Sequence, residues 1–453
     1  MRIINMNRYN IQLKILAVFL LGFPFCFIIS THASGLYNDM QMQSLAKAFN
    51  LPVNKVGIVL EQQSNLLSIN QQILSLLNED NFAGSYIDPV SNRIYINTLS
   101  GEILPDMLTH ISSDNHNLIQ AVKVNYSLTT LNKVKNELAE VIKQHDISFY
   151  AFGVDIKHNN LIATIAQNMS NNPFLKPFIN KYPELLNVSY VNLNYTKNYT
   201  KKSKEINDKV FNNTITKNTH LHSRDQVLLS GGDGIRNLDS YVLCSLGFWC
   251  KTSSGDNVLT TAGHCLVNSE GPWYHKPWNL KGTPNYGNLI GYKISAVNQP
   301  TDFGYISIAG LNVLPSFYIQ NSDDPVYPLL KIKGRVDAGV GAFICRSGFN
   351  THFGCGSVVL TGQTLKEEQT GEILSNLDAV VFLNPPQEGD SGGPYFAFES
   401  DSSVNVKAVG THVGRSCIQY SGSPICTPTN VAVMHPLSYT LPLYDLRLVV
   451  PFN

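Results

Sequence analysis

The chain has 453 residues, 43% of them hydrophobic, which is more than one ordinary domain holds and enough for well-formed cores, so two or three domains are expected. Its 33 basic and 33 acidic residues cancel to a formal charge of zero. That balance excludes a charge-driven partnership with nucleic acid or an anionic membrane as the main one.

In chain order, Arg2, Arg8 and Lys14 precede an apolar run from Ile15 to Ile29, and Thr31-His32-Ala33 then supplies the small residues of a cleavage site. Residues 1–33 read as a signal peptide cut after Ala33. The run is short for a bilayer span, which needs roughly 20 residues, and Pro24 interrupts it. Export from the cell is the expectation, with no membrane association once the leader is removed.

Residues 34–195 read as a small α+β unit. A helical stretch is expected from Leu45 to Leu77, then a hairpin over Tyr86 to Ile96, turning at Pro89-Val90-Ser91-Asn92. Leu131, Val134, Leu138, Val141 and Ile142 recur at three- and four-residue spacing and predict a second helix with one apolar stripe. Phe152 to Ile156 and Leu161 to Ile165 flank Asn159-Asn160 as another hairpin. This half offers no catalytic constellation.

Residues 196–229 are rich in Asn, Thr and Lys, including Lys197, Lys201, Lys202, Lys204, Lys209 and Lys217, and read as a cleavable linker. From Ser230 onward, short β-prone runs broken by Gly and Pro predict an all-β sandwich or barrel. Apart from Cys26 in the leader, all cysteines fall between Cys244 and Cys426, which points to an oxidising compartment. Short separations favour Cys345 with Cys355 and Cys417 with Cys426, leaving Cys244, Cys250 and Cys265 to compete for one bond.

The chemistry lies in three segments of this last region. They are Leu259-Thr260-Thr261-Ala262-Gly263-His264-Cys265, Thr301-Asp302-Phe303-Gly304-Tyr305 and Gly389-Asp390-Ser391-Gly392-Gly393-Pro394. A serine hydroxyl is a weak nucleophile until an imidazole takes its proton, and the imidazole works only when a carboxylate fixes its tautomer. His264, Asp302 and Ser391 supply those three groups in that order.

With Cys244-Ser245-Leu246-Gly247-Phe248 as an opening strand and Cys345-Arg346-Ser347-Gly348 with Cys355-Gly356 as a central loop, the region from Ser230 resembles a chymotrypsin-fold serine protease of the streptogrisin and α-lytic type. Phe82 to Asp88, and Tyr126-Ser127-Leu128 to Val154-Asp155, are similar to the pro-regions of these enzymes. The resemblance implies an all-β catalytic domain over residues 230–453, made of two six-stranded antiparallel β-barrels and preceded by an α+β pro-domain that acts as foldase and inhibitor. It implies a secreted, monomeric serine endopeptidase, made as a zymogen and acting on protein or peptide substrates without cofactor or metal. Ser391 would be the nucleophile, His264 the general base and then acid, Asp302 its orienting carboxylate, and the amides of Gly389 and Ser391 the oxyanion hole. Its disulfide pattern would be Cys244–Cys265, Cys345–Cys355 and Cys417–Cys426, leaving Cys250 as a small buried residue.

Asp390 beside the nucleophile needs a buried partner, and Arg346 stands where the resembling enzymes keep an internal arginine. The ungapped stretch His412, Val413, Gly414 and Arg415 matches the strand lining their primary pocket. A histidine at this place in glutamyl endopeptidases receives an acidic side chain, whereas Glu388 would repel one, so acidic and large apolar residues both stand as the preferred substrate. Maturation is expected near Leu228 to Asp233, with Arg224 as an earlier site. The alternative function is a catalytically silent, protease-like binding module.

Overall fold

The computed structural model describes residues 39–103, 105–192, 226–283, 285–310, 312–366, 371–399, 404–418 and 431–451. The expected signal peptide and most of the expected linker lie outside these residues.

The N-terminal half begins with helices Asp39–Phe49 and Val53–Leu74, where one continuous helix was expected. The break has a local cause: Asn50 takes a left-handed φ of 54°, and Pro52 lacks the amide that would carry a helix through. Strands Phe82–Asp88 and Arg93–Thr98 form the expected hairpin, with Asp88 opposite Arg93, and Ile119–Lys123 adds in parallel to the second strand. Ser127 caps helix Leu128–Gln144 by accepting from the Thr130 amide, and Leu131, Val134, Leu138 and Ile142 are its buried stripe. That stripe packs in one cluster with the antiparallel pair Phe149–Asp155 and Asn160–Ala166. Strand Leu186–Val191 completes the unit in parallel.

The C-terminal half is all-β. Eight strands form one sheet, with Arg447–Leu448 at one edge, Phe303–Ser307 near its middle and Leu243–Ser245 at the other edge. A second sheet runs from Tyr318–Gln320 to Val431–Pro436 and is mostly antiparallel, though Leu329–Arg335 lies parallel to Asn405–Arg415. We refer to these as the first and second barrels. Val227–Leu228 pairs with Val313–Leu314, and Leu229 is fully buried in the first barrel's core, so these residues of the expected linker pack with the C-terminal half.

The two halves are joined by a ladder and by shared cores. Strand Gly354–Lys366 of the second barrel pairs with Phe149–Asp155 of the N-terminal half, Thr364 opposite Phe152 and Leu365 opposite Ala151. Gly153 lies so close to Gln363 that a Cβ there would stand 2.1 Å from its Oε1. Leu45, Phe49 and Leu60 share one cluster with Phe343, Phe396 and Phe398, and the rings of Phe49 and Phe343 stack at 4.3 Å. Fully burying side chains of this size stabilises by about 1.5–3 kcal/mol each. Gln63, fully buried, accepts from the Phe343 amide at 2.6 Å and donates to its carbonyl at 2.8 Å.

Disulfides join Cys244 to Cys265 and Cys345 to Cys355. The third expected pair includes Cys426, which lies outside the described residues. Cys250 is a free, buried thiol whose pKa burial pushes up. No helix among the described residues is long and apolar enough to cross a membrane.

Candidate active site

His264 sits in the one-turn helix Gly263–Leu266 directly after strand Asn257–Thr261. The Cys244–Cys265 bond pins that turn to strand Leu243–Ser245. Closing a loop with a sequence separation of 21 contributes about 3 kcal/mol by limiting the unfolded chain. Asp302 immediately precedes the neighbouring strand Phe303–Ser307, and its side chain is 3% exposed. One carboxylate oxygen accepts from the His264 amide at 2.7 Å, and the other lies 2.6 Å from His264 Nδ1. A proton on Nδ1 satisfies that contact and leaves Nε2 with its lone pair, the form a general base requires.

Ser391 comes from the second barrel, on the turn before strand Pro394–Phe398. Its carbonyl accepts from the Ser245 amide at 2.8 Å, while the Ser245 hydroxyl donates to the Gly389 carbonyl at 2.7 Å. Ser245 therefore ties the turn carrying Ser391 to the first barrel, a role the sequence did not announce. Gly389 has φ 95° and Gly392 φ 87°, values that side chains rarely adopt, and a Cβ on Gly392 would come within 2.0 Å of Thr261 Oγ1.

Asp390 is buried beneath this turn. It accepts from the amides of Asn350, Thr351 and Gln387 at 2.7, 2.9 and 2.8 Å and from the Thr351 hydroxyl at 2.5 Å. Arg346 lies 3.7 Å away, with both side chains 1% exposed. The arginine also donates to the carbonyls of His352 and Asn384 and sits 5.3 Å from the Phe382 ring. Most of the neutralisation of Asp390 thus comes from main-chain donors, and Arg346 adds a looser charge.

Of the expected pocket residues, His412 and Val413 are buried, Gly414 is half-buried, and Arg415 and Glu388 are exposed. His412 Nδ1 lies 3.1 Å from the Tyr395 hydroxyl. Burial first, then the positive charges of Arg346, His264 and Arg415, hold His412 well below the usual imidazole range, so it is neutral. A Cβ on Gly414 would meet open space, whereas one on Gly410 would strike Met434.

One His/Cys group, Cys244, His264 and Cys265, brings its ligand atoms within 4.8 Å of one another. The two sulfurs are bonded to each other, so the group offers no thiolate to a metal. Sequence reasoning passed over His435, which is fully buried and accepts from the Asp302 amide at 3.0 Å. Its signal was a histidine ending the apolar run Val431-Ala432-Val433-Met434, a buried-polar pattern.

Known proteins are similar to up to half of the chain. Serine protease 2 of Streptomyces fradiae is 29% identical over 175 residues, covering 37% of this chain and 91% of that protein. Thermobifida fusca protease A aligns at 19% identity with a TM-score of 0.37, over 50% of this chain and 100% of its own. A glutamic acid-specific serine protease that uses a histidine triad in substrate binding aligns at 22% identity with a TM-score of 0.38, over 49% and 100%. No model of a known protein family matches the chain. Over part of its length the chain is thus similar to a serine protease, and its class is that of a serine-type peptidase.

Proposed function

We propose that the protein is a secreted serine endopeptidase made as a zymogen, with Ser391, His264 and Asp302 as its catalytic triad. Ser391 attacks the scissile carbonyl while His264 Nε2 takes its proton, and the imidazolium then protonates the leaving amine. Water repeats the cycle on the acyl-enzyme. Asp302 holds the ring and stabilises its cation, and the amides of Gly389 and Ser391 receive the oxyanion, each such donor contributing about 3–4 kcal/mol. The observation that carries this reading is the double contact of Asp302 with the His264 amide and Nδ1. It disfavours a silent binding module, for which an unaligned carboxylate would serve as well.

Fluorophosphonate labelling of the processed protein, read by mass spectrometry, tests the assignment. Modification confined to Ser391 and abolished in Ser391→Ala supports it. A correctly processed fragment that takes no label removes the triad and leaves the binding module.

For specificity, the neutral, hydroxyl-paired His412 favours a large apolar residue over an acidic one on the acyl side of the cut bond. Peptide-library cleavage enriched in Glu or Asp would reverse that preference. For activation, Asp390 already has its amide donors and Arg346, so no newly formed N-terminus has to be inserted beside it. The N-terminal half serves as folding template and inhibitor, docking through the ladder to Gly354–Lys366 and the helix cores. The maturation cut falls before Val227, because the Leu229 side chain is buried and its carbonyl accepts from Trp249 Nε1 at 2.7 Å. N-terminal mass spectrometry of the mature enzyme checks this, and a start at Ser230 would refute it.

A further inference from the structure

The triad is assembled from both barrels. His264 and Asp302 belong to the first, Ser391 to the second, so the acid–imidazole pair must be held against a nucleophile on a separate sheet. Several hydrogen bonds cross this seam from the Ser391 side, through Ser245. On the Asp302 side a bond crosses from His435, on the second-barrel strand Val431–Pro436, to the Asp302 amide.

We infer that His435 is a positioning residue, a second imidazole that clamps the main chain of Asp302 from the opposite barrel and so keeps its carboxylate aligned on His264. The inference rests on the reading of Asp302 as the triad carboxylate. Asp302 is then held at three points: its amide on His435 Nε2, and its two oxygens on the His264 amide and Nδ1. The two side-chain contacts alone would let Asp302 move together with His264 relative to Ser391. The third ties the pair to Ser391's own sheet.

The clamp sets a chemical condition on His435. To accept from an N–H, Nε2 must carry a lone pair, so the ring proton sits on Nδ1 and the ring is neutral. A protonated ring would point one N–H at another. The surroundings enforce the neutral form: His435 is fully buried between the sheets, and burial lowers its pKa to about 4 despite the opposing pull of Asp302 and of the Asn376 carbonyl. The ring of Tyr439 flanks it at 6.2 Å. Proton transfer at His264 therefore proceeds beside an imidazole that does not compete for the proton.

The test compares His435→Leu, which removes the acceptor, with His435→Gln, whose side-chain oxygen can replace it, in the full chain matured in the normal way. Ångström-scale misplacement of a reacting group can cost on the order of 100-fold. His435→Leu should accordingly lower kcat by about 10- to 100-fold with KM within about twofold, and His435→Gln should recover most of that loss. Unchanged kcat in His435→Leu, or a glutamine variant as impaired as the leucine one, overturns the inference. Ser391→Ala run alongside separates the failures: an active Ser391→Ala sinks the triad and this clamp together, whereas an inactive one with a fully active His435→Leu sinks the clamp alone. Should the leucine variant not fold, NMR of histidine-¹⁵N-labelled wild-type enzyme still decides. An unprotonated Nε2 and protonated Nδ1 on His435 from pH 7.5 down to about 5 agree with the clamp, and a doubly protonated ring at pH 6 contradicts it.

Discussion

The two barrels are built from similar strands but stabilised differently. The first fills a core of its own, in which Leu229, Ile235, Leu259, Trp273, Ile290 and Ile306 come entirely from the C-terminal half. The second shares its apolar surface with the N-terminal half: Leu66, Ile69 and Ile73 join Ile344, Val380 and Phe382 in one cluster, and Ala151 and Ile162 join Leu360, Leu377 and Val433 in another. Ser391 therefore lies beside the barrel that shares most of its apolar surface with the other half, whereas His264 and Asp302 lie on the one with a main core of its own, although Phe248, Val258 and Phe303 there also join the N-terminal helices in a cluster.

The largest effect should come from removing the N-terminal half altogether. Residues 226–453 expressed alone should yield active enzyme at least about tenfold below the full chain, since long-range strand pairings form slowly without a template. Adding residues 39–192 as a separate chain should restore it, and undiminished yield from the fragment alone would erase the contrast between the barrels.

Arg346→Gln tests the second barrel from inside. Removing one partner from a buried pair typically costs about 3–5 kcal/mol, and the amides already around Asp390 place this case at the lower end. Chemical denaturation of the variant measures it, and no change in midpoint would mean that the amide donors suffice.

Gln63→Leu probes the seam between the halves, because it leaves the Phe343 amide and carbonyl without their side-chain partner. A lost buried hydrogen bond of this kind costs about 1–3 kcal/mol, so the separated N-terminal half should bind the catalytic half about 5- to 150-fold more weakly. Titration calorimetry reads this directly, and an unaltered affinity would confine docking to the strand ladder.

The last effect concerns pH. Burial raises the Asp378 pKa to about 8. Between its unfolded value near 4 and that folded value, the unfolded chain loses a proton the folded one keeps, so Asp378 costs stability as pH rises through this window. Asp378→Asn should remove the penalty, and its gain in melting temperature over wild type should grow from pH 5 to pH 8. A gain independent of pH would point to packing instead.

Much of the chain was legible before the structure. The amphipathic helix over Leu128–Gln144, the hairpin turning at Asn159, and an all-β C-terminal half follow from local periodicity and turn residues, which act over a few neighbours. Less was legible around the pocket. His412 stood where a histidine can receive an acidic side chain, and only its burial against Tyr395 holds it neutral.

By itself the sequence offered candidates for acyl-transfer chemistry, because a serine, histidine and aspartate each set in a distinctive glycine-bearing segment are local signals. It also determined that the chain divides into an α+β half and a β half, since composition and cysteine placement change along it. Only the tertiary structure decided that Gln63 serves the edge of a strand 280 residues away, that His435 reaches the Asp302 amide across 133 residues, and that the second barrel borrows its core. The reason is physical: hydrogen bonds and burial depend on distance in space, and periodicity reports only which face of an element seeks a partner.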